Sequence, residues 1–403
     1  MPYQIERLGH LGDGIADGPI FAARVLPGEV VDGELNGDRI ARPKIVTPSP
    51  DRVRPPCPHY KSCGGCALQH ASDGFVEGWK ADIVRQALAA QGIDAPIRSV
   101  FTSEEKSRRR VTFSGRRLKS GPVVGFHAQG SDTVTSVPNC ILLNPALLAA
   151  TKACEALVMT LGSRKAEIKF RATLSKAGID LDVSGGRTPS DKDWASLAGL
   201  AETHDLARLT VEGEVIVVRR PPAQDFDDIT VVPPPGAFLQ ATASGEATLR
   251  SAVFEAISGA RRVADLFAGC GTFALPLARQ CEVHAVEGDT ALITALETGW
   301  RGGTGLKKVS TEARDLFRRP LLLDELTGFD AVVVDPPRAG AEALMSEIAA
   351  SRVPVVAAVS CNPTTFARDA RLLIDAGYKL EWIDVVDQFR WATHVELAAC
   401  FRL

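Results

Sequence analysis

The pattern of apolar and polar positions changes along the chain. Residues 1–52 contain short apolar runs separated by glycine and proline, which is typical of short strands in a small β-barrel. The Pro-Pro-Pro-Gly segment at 233–236 marks a boundary, after which strand-like and helix-like segments alternate to the C-terminus. We therefore predict three domains, at 1–52, 53–232 and 233–403.

The last domain is predicted to contain seven strands, near 262–267, 283–287, 308–312, 330–335, 353–360, 379–386 and 394–402. Strand–helix alternation of this kind is typical of a parallel sheet with helices on both faces. The link between the last two strands is too short for a helical crossover, so this pair is predicted to be antiparallel. The pattern thus predicts a Rossmann-like α/β domain, and its antiparallel last pair is more typical of methyltransferases than of dehydrogenases.

The middle region is predicted to be an α+β domain with two notable segments. Residues 75–92 have helical periodicity, with an apolar stripe that includes Trp79 and Leu88, and we expect this helix to pack on the last domain. Residues 106–119 carry seven positive and no negative charges. A basic hairpin of this kind suits RNA phosphates, although a solvated sheet edge protected by charge has the same pattern.

Composition constrains the cellular setting more than the function. The chain is 45% hydrophobic with a net charge of −3, so any surface for an anionic partner must be local. No apolar run approaches the roughly 18 residues that a membrane span needs, and residues 1–20 lack a signal-peptide pattern. We therefore expect a cytoplasmic monomer with no membrane partner.

Cysteine spacing points to a metal. The chain has nine cysteines, and three of them form a C-x5-C-x2-C run at Cys57, Cys63 and Cys66. In a reducing compartment such a run favours metal binding over disulfides. Cys140 is the best candidate for a fourth thiolate ligand. One distant member in a set of four thiolates suits a [4Fe–4S] cluster; zinc, with two nearby histidines available, and no metal at all are the alternatives.

A glycine-rich loop follows the first strand of the last domain. Gly269 and Gly271, with Glu287 at the end of the next strand, also fit a dinucleotide fingerprint, so a nicotinamide cofactor is the rival interpretation. Asp265 near the end of the first strand suits the positive amino-acid portion of S-adenosylmethionine, whereas it would repel a pyrophosphate. Glu287 would accept ribose hydroxyls, and Asp315 lies where an adenine contact is expected. We therefore favour S-adenosylmethionine.

Two later strands end in reactive groups. Cys361 follows a buried strand at the edge of the sheet where ligands bind, and taken alone it is either a nucleophile or a small apolar residue. Asp335 lies at the tip of the preceding strand, in the segment Asp335-Pro336-Pro337-Arg338. The positive charge of Arg338 is a candidate for lowering the pKa of the Cys361 thiol, or for binding phosphate.

These segments together resemble the RNA (uracil-5-)-methyltransferase family, in particular its iron–sulfur 23S ribosomal RNA members of the RumA/RlmD type. The start of the chain resembles the TRAM module, an OB-like barrel. The other segments that carry the resemblance, in chain order, are Cys57–Cys66 with Cys140, Phe238-Leu239-Gln240, Asp265–Gly271, Asp335-Pro336-Pro337-Arg338, Ser360-Cys361-Asn362-Pro363 and His394-Val395-Glu396.

The resemblance implies a role for particular residues. It implies that Cys361 is the nucleophile and Glu396 the general base. It also implies cofactor contacts from five side chains: Gln240, Phe267, Glu287, Asp315 and Asp335. Many members have asparagine where Thr242 and Thr272 stand in this chain, so cofactor contacts from those two side chains are not expected.

A chemical argument supports the same assignment. C5 of uracil becomes nucleophilic only after a thiolate adds to C6, and a base must afterwards remove the C5 proton. The uridine must be unstacked, which favours a loop or single strand. The expected substrate is 23S ribosomal RNA, with transfer RNA as the alternative. A nicotinamide oxidoreductase and a non-catalytic RNA-binding module are more distant alternatives, and both leave Asp335, Cys361 and Glu396 together unexplained.

Overall fold

The first part of the chain forms a sheet of its own in the computed structural model, which describes residues 2–403. Its seven short strands are β1 (Tyr3–Leu8), β2 (Gly14–Ala16), β3 (Ile20–Ala22), β4 (Val30–Asp32), β5 (Leu35–Asn36), β6 (Arg39–Ile40) and β7 (Lys44–Thr47). They are ordered β5-β6-β3-β2-β1-β4-β7. Ile5, Val25 and Val31 are fully buried in a small core between them.

A long helix and a single strand follow: α1 (Asp73–Ala89) and β8 (Ile97–Thr102). Ser72 caps α1 by accepting a hydrogen bond from the backbone N of Phe75, so the helix begins slightly earlier than predicted. Val84 and Leu88 are buried in the same apolar core as the C-terminal sheet. The helix therefore packs against the part of the chain that carries the last sheet.

The middle sheet is mostly antiparallel and is covered by helices. Its elements are β9 (Arg110–Leu118), β10 (Gly121–His127), β11 (Val134–Ser136), α2 (Pro145–Ala149), α3 (Thr151–Leu161), β12 (Ile168–Ser175), β13 (Gly178–Ser184), α4 (Asp191–Thr203), β14 (Leu206–Val211) and β15 (Glu214–Val218). The strand order is β11-β10-β9-β12-β13-β14-β15. A separate two-stranded ribbon follows, formed by β16 (Gln224–Phe226) and β17 (Ile229–Val231).

The last part of the chain alternates helices and strands. Its elements are α5 (Ala243–Ala256), β18 (Arg262–Leu266), α6 (Ala274–Leu277), β19 (Glu282–Glu287), α7 (Thr290–Gly302), β20 (Val309–Ala313), α8 (Leu323–Leu326), β21 (Ala331–Val334), α9 (Glu342–Ser351), β22 (Val355–Ser360), α10 (Pro363–Asp375), β23 (Lys379–Asp387) and β24 (Glu396–Arg402). As predicted, β23 and β24 are antiparallel.

The predicted number of seven strands in this sheet is wrong, because the sheet has eight, ordered β20-β19-β18-β21-β22-β24-β23-β8. The additional strand β8 comes from the middle of the chain and pairs in parallel with β23. Arg98 and Ser99 of β8 both bond the carboxylate of Asp384 on β23, at 3.0 and 2.7 Å to its Oδ1. This pairing joins segments distant in sequence, so local pattern alone did not indicate it.

The apolar strands of this sheet are buried on both faces. Successive residues alternate between two cores: Val332 and Val334 of β21 lie in one, and Ala331 and Val333 in the other. A strand buried on both sides reads as a continuous apolar run, which explains the sequence pattern. Within residues 2–403, no helix has the length and apolar character needed to cross a membrane.

Candidate active site

The glycine-rich loop after β18 has an unusual backbone. Phe267, Gly269 and Gly271 have positive φ values of 65°, 57° and 98°, and a positive φ is costly for a phenylalanine. A Cβ on Gly271 would lie 2.7 Å from Leu275 Cγ, whereas a Cβ on Gly269 would meet no atom within 4 Å. Gly271 therefore serves packing, and Gly269 presents bare backbone to open space.

Glu287 at the end of β19 holds this loop. Its Oε2 accepts a hydrogen bond of 3.0 Å from the backbone N of Gly269, and its Oε1 accepts one of 3.0 Å from that of Asp289. Glu287 therefore ends the second strand of this domain, as predicted, and its carboxylate contacts the glycine-rich loop. Carboxylate lone pairs remain available for hydroxyl donors of a ligand.

Asp265 lies deeper than the sequence suggested. Its side chain has 0% exposure, and neither carboxylate oxygen has a well-aligned hydrogen-bond partner among the described residues, although the nearby backbone N–H of Ala274 acts to lower its pKa. Burial, and then the negative charges of Asp335 and Glu287, raise the pKa of Asp265 to about 8. A buried carboxyl without a partner is costly, so Asp265 would be stabilised by a donor or cation supplied by a ligand.

Asp315 and Phe317 lie just beyond β20, on the same side of the sheet. Asp315 is exposed, and its Oδ1 accepts a 3.0 Å hydrogen bond from the backbone N of Phe317. The ring of Phe317 is 51% exposed and its centroid lies 5.4 Å from that of Phe267. Sequence reasoning missed Phe317, although an aromatic residue two positions after a suspected ligand contact was a signal for it.

Asp335 follows β21 directly, as predicted. The strand ends at Val334, and the backbone N of Asp335 donates a 3.2 Å hydrogen bond to Leu266 O at the end of the neighbouring strand. Burial raises the pKa of Asp335 to about 7. Asp335 thus lies at the same edge of the sheet as the glycine-rich loop.

Cys361 is held between a strand and a helix. β22 ends at Ser360, and the side chain of Asn362 caps α10 by accepting a 3.1 Å hydrogen bond from the backbone N of Thr364. Pro363 occupies the first turn of α10, where its missing N–H does no harm. The Asn-Pro pair, interpreted from sequence only as a turn, therefore starts a helix, and Cys361 is half-buried at the junction.

Glu396 faces Cys361 across two neighbouring antiparallel strands. The register of β22 and β24 ends with the pair Ser360 and Leu397; Cys361 follows Ser360, Glu396 precedes Leu397, and the two side chains are close enough for the Glu396 carboxylate to raise the pKa of the Cys361 thiol. The side chain of Glu396 is 4% exposed. Burial and the charges of Asp335 and Asp387 raise its pKa to about 8, against the effect of a hydrogen bond from Gln388.

The thiol of Cys361 does not have a lowered pKa in this structure. Burial is the main cause of its raised pKa, and the carboxylates of Glu396 and Asp335 add to it. Arg338 acts in the opposite direction, as the sequence suggested, but its effect is outweighed. Arg338 is exposed, and its Nη2 lies 3.3 Å from His394 Nδ1.

Gln240 and Gln388 form a buried pair beside Glu396. Gln388 Nε2 donates a hydrogen bond of 2.7 Å to Gln240 Oε1 and another to Glu396 Oε2. Gln240 was singled out from sequence, but Gln388 was not. Nothing in a single sequence distinguishes Gln388 from a surface glutamine on a connecting segment.

A cavity of about 370 Å³ opens beside Cys361. It lies between the loop after β1, the helix α1 and the segment that leads to Glu396. Its lining includes His10, Leu11, Trp79, Arg338, Thr393 and His394. The space next to the thiol is therefore shaped by residues from widely separated parts of the chain.

The four predicted metal ligands line one cavity of about 410 Å³: Cys57, Cys63, Cys66 and Cys140. All four thiols are free, and burial together with the nearby thiols raises the pKa of Cys66 to about 12. As they stand, no three or more His, Cys, Asp and Glu side chains among residues 2–403 are arranged to hold a metal ion. Four free thiols around one cavity nevertheless match the donor set of an iron–sulfur cluster.

Some cations of the basic segment 106–119 bond other parts of the protein, and others are exposed. Arg109 Nε donates to Gln240 O at 3.1 Å, and Arg110 Nη1 donates to Leu239 O at 3.3 Å. The Arg110 guanidinium also lies 4.6 Å from the ring centroid of Phe238, which is 57% exposed. These arginines tie the middle sheet to the segment before α5 that carries Gln240. Lys106, Arg117 and Lys119 are exposed.

Known proteins resemble this chain over nearly its whole length. The model of the tRNA (Uracil-5-)-methyltransferase family matches residues 305–402. A protein of Brucella suis described as an uncharacterized RNA methyltransferase is 42% identical over 98% of this chain and 96% of its own length. The 23S rRNA (uracil(1939)-C(5))-methyltransferase RlmD of Halomonas elongata is 33% identical over 97% of this chain and 87% of its own length.

The fold has a solved counterpart. The Pyrococcus abyssi tRNA (uracil-54, C5)-methyltransferase, crystallised with S-adenosyl-L-homocysteine, superposes with a TM-score of 0.78 at 21% identity, covering 100% of this chain and 99% of that one. This similarity confirms the Rossmann-like α/β architecture. The sequence similarity to the relatives identifies the family: the chain belongs to the RNA (uracil-5-)-methyltransferase family.

Proposed function

We propose that the protein methylates C5 of uridine in RNA with S-adenosylmethionine, and that 23S ribosomal RNA is its substrate. The observation that carries the proposal is the Cys361 thiol lying close to the carboxyls of Glu396 and Asp335 at one end of the sheet. A thiol and a buried carboxyl at one sheet edge are the two groups that C5 methylation of uracil requires.

S-adenosylmethionine supplies an electrophilic methyl group when bound. We assign its binding to side chains and backbone at the ends of the central strands: Gln240, Asp265, Phe267, Gly269, Gly271, Glu287, Asp315 and Asp335. Three observations support this site: the unpaired carboxyl of Asp265, the open space at Gly269 and the exposed ring of Phe317. A cationic ligand would stabilise the charged form of the buried Asp265 carboxyl, and an exposed aromatic ring suits a purine.

The first chemical step belongs to Cys361. Its Sγ adds to C6 of the uracil, and the electrons of the C5–C6 double bond move toward the C4 carbonyl, so that C5 becomes nucleophilic. Because the pKa of the Cys361 thiol is raised in the free protein, we infer that the thiol ionises only after RNA enters. Arg338 already acts to lower the pKa of this thiol and is the cation that we expect to favour the thiolate.

The last step belongs to Glu396. After C5 has taken the methyl group, the Glu396 carboxylate removes the proton from C5, the C5–C6 double bond re-forms and the C6–S bond breaks. A pKa of about 8 makes the Glu396 carboxylate a stronger base than an ordinary glutamate, and the fraction of Glu396 able to accept a proton rises as the pH approaches that value. The order of addition and elimination thus requires both groups but uses them at different times.

The cavity beside Cys361 supports an RNA substrate with an unstacked uridine. A base in a loop or single strand enters such a cavity at the lowest cost. The N-terminal sheet, which we interpret as a TRAM-like barrel, contributes His10 and Leu11 to the wall. Lys106, Arg117 and Lys119 are the exposed cations of the basic segment that remain for phosphate contacts.

Ribosomal RNA is favoured over transfer RNA by the similarity to RlmD across 87% of the length of that enzyme. The family model and the Pyrococcus abyssi enzyme, both named for transfer RNA, keep tRNA as the second candidate. An enzyme of this kind would act in the cytoplasm, and we expect a monomer. Mapping of 5-methyluridine by mass spectrometry in 23S rRNA and tRNA from a deletion strain distinguishes the substrates.

The test of the function itself is complementation of that strain. We expect the wild-type gene to restore 5-methyluridine and the Cys361→Ala variant to restore none. Methyl transfer by Cys361→Ala would contradict the proposed chemistry. Calorimetry with S-adenosylmethionine and with NAD separates the proposal from an oxidoreductase, and unchanged RNA methylation in the deletion strain would favour a non-catalytic RNA-binding protein.

We also propose that Cys57, Cys63, Cys66 and Cys140 hold a [4Fe–4S] cluster, since their thiols share one cavity. Methyl transfer needs no electron transfer, so the cluster would stabilise the middle region and the adjoining RNA surface. Protein purified without oxygen is expected to be brown, with broad absorbance near the visible range. A colourless protein with one bound zinc ion would exclude the cluster.

A further inference from the structure

Gln388 joins two parts of the proposed active site. It lies directly after β23, in the segment that leads to Glu396, and its side chain is 2% exposed. Its Nε2 donates to Glu396 Oε2 and, at 2.7 Å, to Gln240 Oε1. Its Oε1 accepts a 3.3 Å hydrogen bond from the backbone N of Thr242. One amide therefore connects the carboxylate, the methyl-donor side and the start of α5.

The neighbours of this amide determine its orientation. If its oxygen and nitrogen were exchanged, the oxygen would face Gln240 Oε1 and the NH₂ group would face the backbone N–H of Thr242. Both contacts would then be repulsive. Glu396 consequently meets an N–H donor, and such a donor stabilises the carboxylate form of a glutamate.

The backbone at the start of α5 lies very close to the side chain of Gln388. A Cβ on Gly245, in the first turn of α5, would lie 2.3 Å from Gln388 Cγ and 2.7 Å from Gln388 Cδ. Thr242 caps the same helix by accepting a 3.0 Å hydrogen bond from the backbone N of Gly245. The first turn of α5 thus packs against the Gln388 side chain and limits its movement away from Glu396.

Several charged groups face Glu396 from the surrounding strands. The carboxylates of Asp335 and Asp387 oppose its negative charge, and the Glu396 carboxylate in turn raises the pKa of the Cys361 thiol. Lys80 on α1 is paired with Asp387 rather than with Glu396, with 2.5 Å between Lys80 Nζ and Asp387 Oδ1. The cation Arg338 is on the Cys361 side and contacts His394, whose own pKa is lowered by burial and nearby cations.

We propose that Gln388 is a positioning residue, which holds the Glu396 carboxylate ready for removal of the C5 proton and keeps it in a fixed place relative to Gln240. The inference rests on the proposed role of Glu396 as the base. Gln388 acts through Glu396, and its main effect is therefore on the release of methylated RNA rather than on formation of the covalent adduct.

The direct test is Gln388→Met, which keeps the length of the side chain and removes its hydrogen-bonding atoms. With radiolabelled S-adenosylmethionine in single turnover, we expect adduct formation at close to the wild-type rate. Release is expected to slow about tenfold near pH 7, because loss of the donor raises the pKa of Glu396 by about one unit. The acid limb of the release profile should shift upward by that amount.

Gly245→Ala provides a second test, because it displaces the amide without changing its chemistry. We expect the same upward shift of the release profile. Gln280→Met, the same substitution at an exposed glutamine outside the site, should leave rate and profile unchanged. Thermal unfolding of each variant establishes that the protein is folded.

Two outcomes would overturn the inference. A wild-type release profile in both variants would exclude a positioning role for Gln388, and so would an equal loss of adduct formation and release without a pH shift. Failure of the proposed function is distinguishable from both, because Glu396→Gln would then turn over normally.

Discussion

Cys361 directly follows β22 and Glu396 is the first residue of the neighbouring strand β24, so the two flank the last pair of that ladder, Ser360 and Leu397, and the Glu396 carboxylate raises the pKa of the Cys361 thiol. Because the two strands are antiparallel, their backbone hydrogen bonds hold both groups at one end of the sheet. The thiol and the carboxyl are thereby brought together although Asn362 turns the chain away into α10 directly after Cys361. The chemistry proposed above depends on this relationship.

Replacement of Glu396 by glutamine should trap the RNA on the protein. The amide cannot accept the C5 proton, so the C6–S bond to Cys361 is expected to persist after methyl transfer. Denaturing gel electrophoresis with labelled RNA would show a labelled band of the covalent RNA–protein adduct, which migrates more slowly than the free RNA. The double variant with Cys361→Ala is the control and should show no such band, whereas normal turnover of Glu396→Gln would remove this residue from the role of base.

Turnover should rise with pH. The pKa of Glu396 is raised to about 8, so at lower pH the group holds a proton and cannot accept another. The pKa of the Cys361 thiol is raised as well, which acts in the same direction. We expect the rate of release to increase from about pH 6 to about pH 9 under saturating substrate. RNA affinity of Cys361→Ala over the same range is the control, and a flat profile would contradict the assignment.

Loss of Lys80 should destabilise the protein strongly. Its side chain has 0% exposure and pairs with Asp387, whose own side chain is 1% exposed. Lys80→Met would leave a buried carboxylate without its cation, at a cost of about 3–5 kcal/mol in the free energy of unfolding. Urea titration measures the change, and the exposed pair of Arg85 and Asp82 is the comparison, since Arg85→Met should cost less than about 1 kcal/mol.

Phe317→Ala should weaken binding of the methyl donor. The exposed ring lies against Phe267, next to the predicted adenine contact at Asp315. Loss of one aromatic contact is worth roughly 1 kcal/mol, so the dissociation constant for S-adenosylhomocysteine should rise about fivefold. Leu323→Ala, at a residue that is 44% exposed, is the matched control and should leave the affinity unchanged. Equal affinity in both variants would exclude Phe317 from the site.

Much of the C-terminal fold was predictable because its strands are buried on both faces. Residues such as Val332 and Val333 pack into opposite cores, so every position of β21 must be apolar and the strand is evident in the sequence. The eighth strand was not predictable in the same way. Ile97–Thr102 has only exposed and partly buried positions rather than a continuous buried run, and its partner β23 lies far along the chain.

In the candidate site, too, some residues could be predicted from the sequence and others could not. Cys361, Glu396 and the glycine-rich loop could be singled out because their residue types and spacing match a known family. Gln388 and Phe317 could not, because each becomes notable only through a contact: one with Glu396, the other with Phe267. The raised pKa of the Cys361 thiol likewise depends on burial, for which sequence position is a poor guide.

The sequence by itself determined the alternation of strands and helices in the C-terminal part, the chemical groups at the strand ends and the family, because these follow from local periodicity and motif spacing. Only the tertiary structure decided which of those groups face one another, how deeply Asp265 is buried and which amide contacts Glu396. The physical reason is that burial and hydrogen bonding between distant segments depend on sheet register and packing, and both arise only when the whole chain has folded.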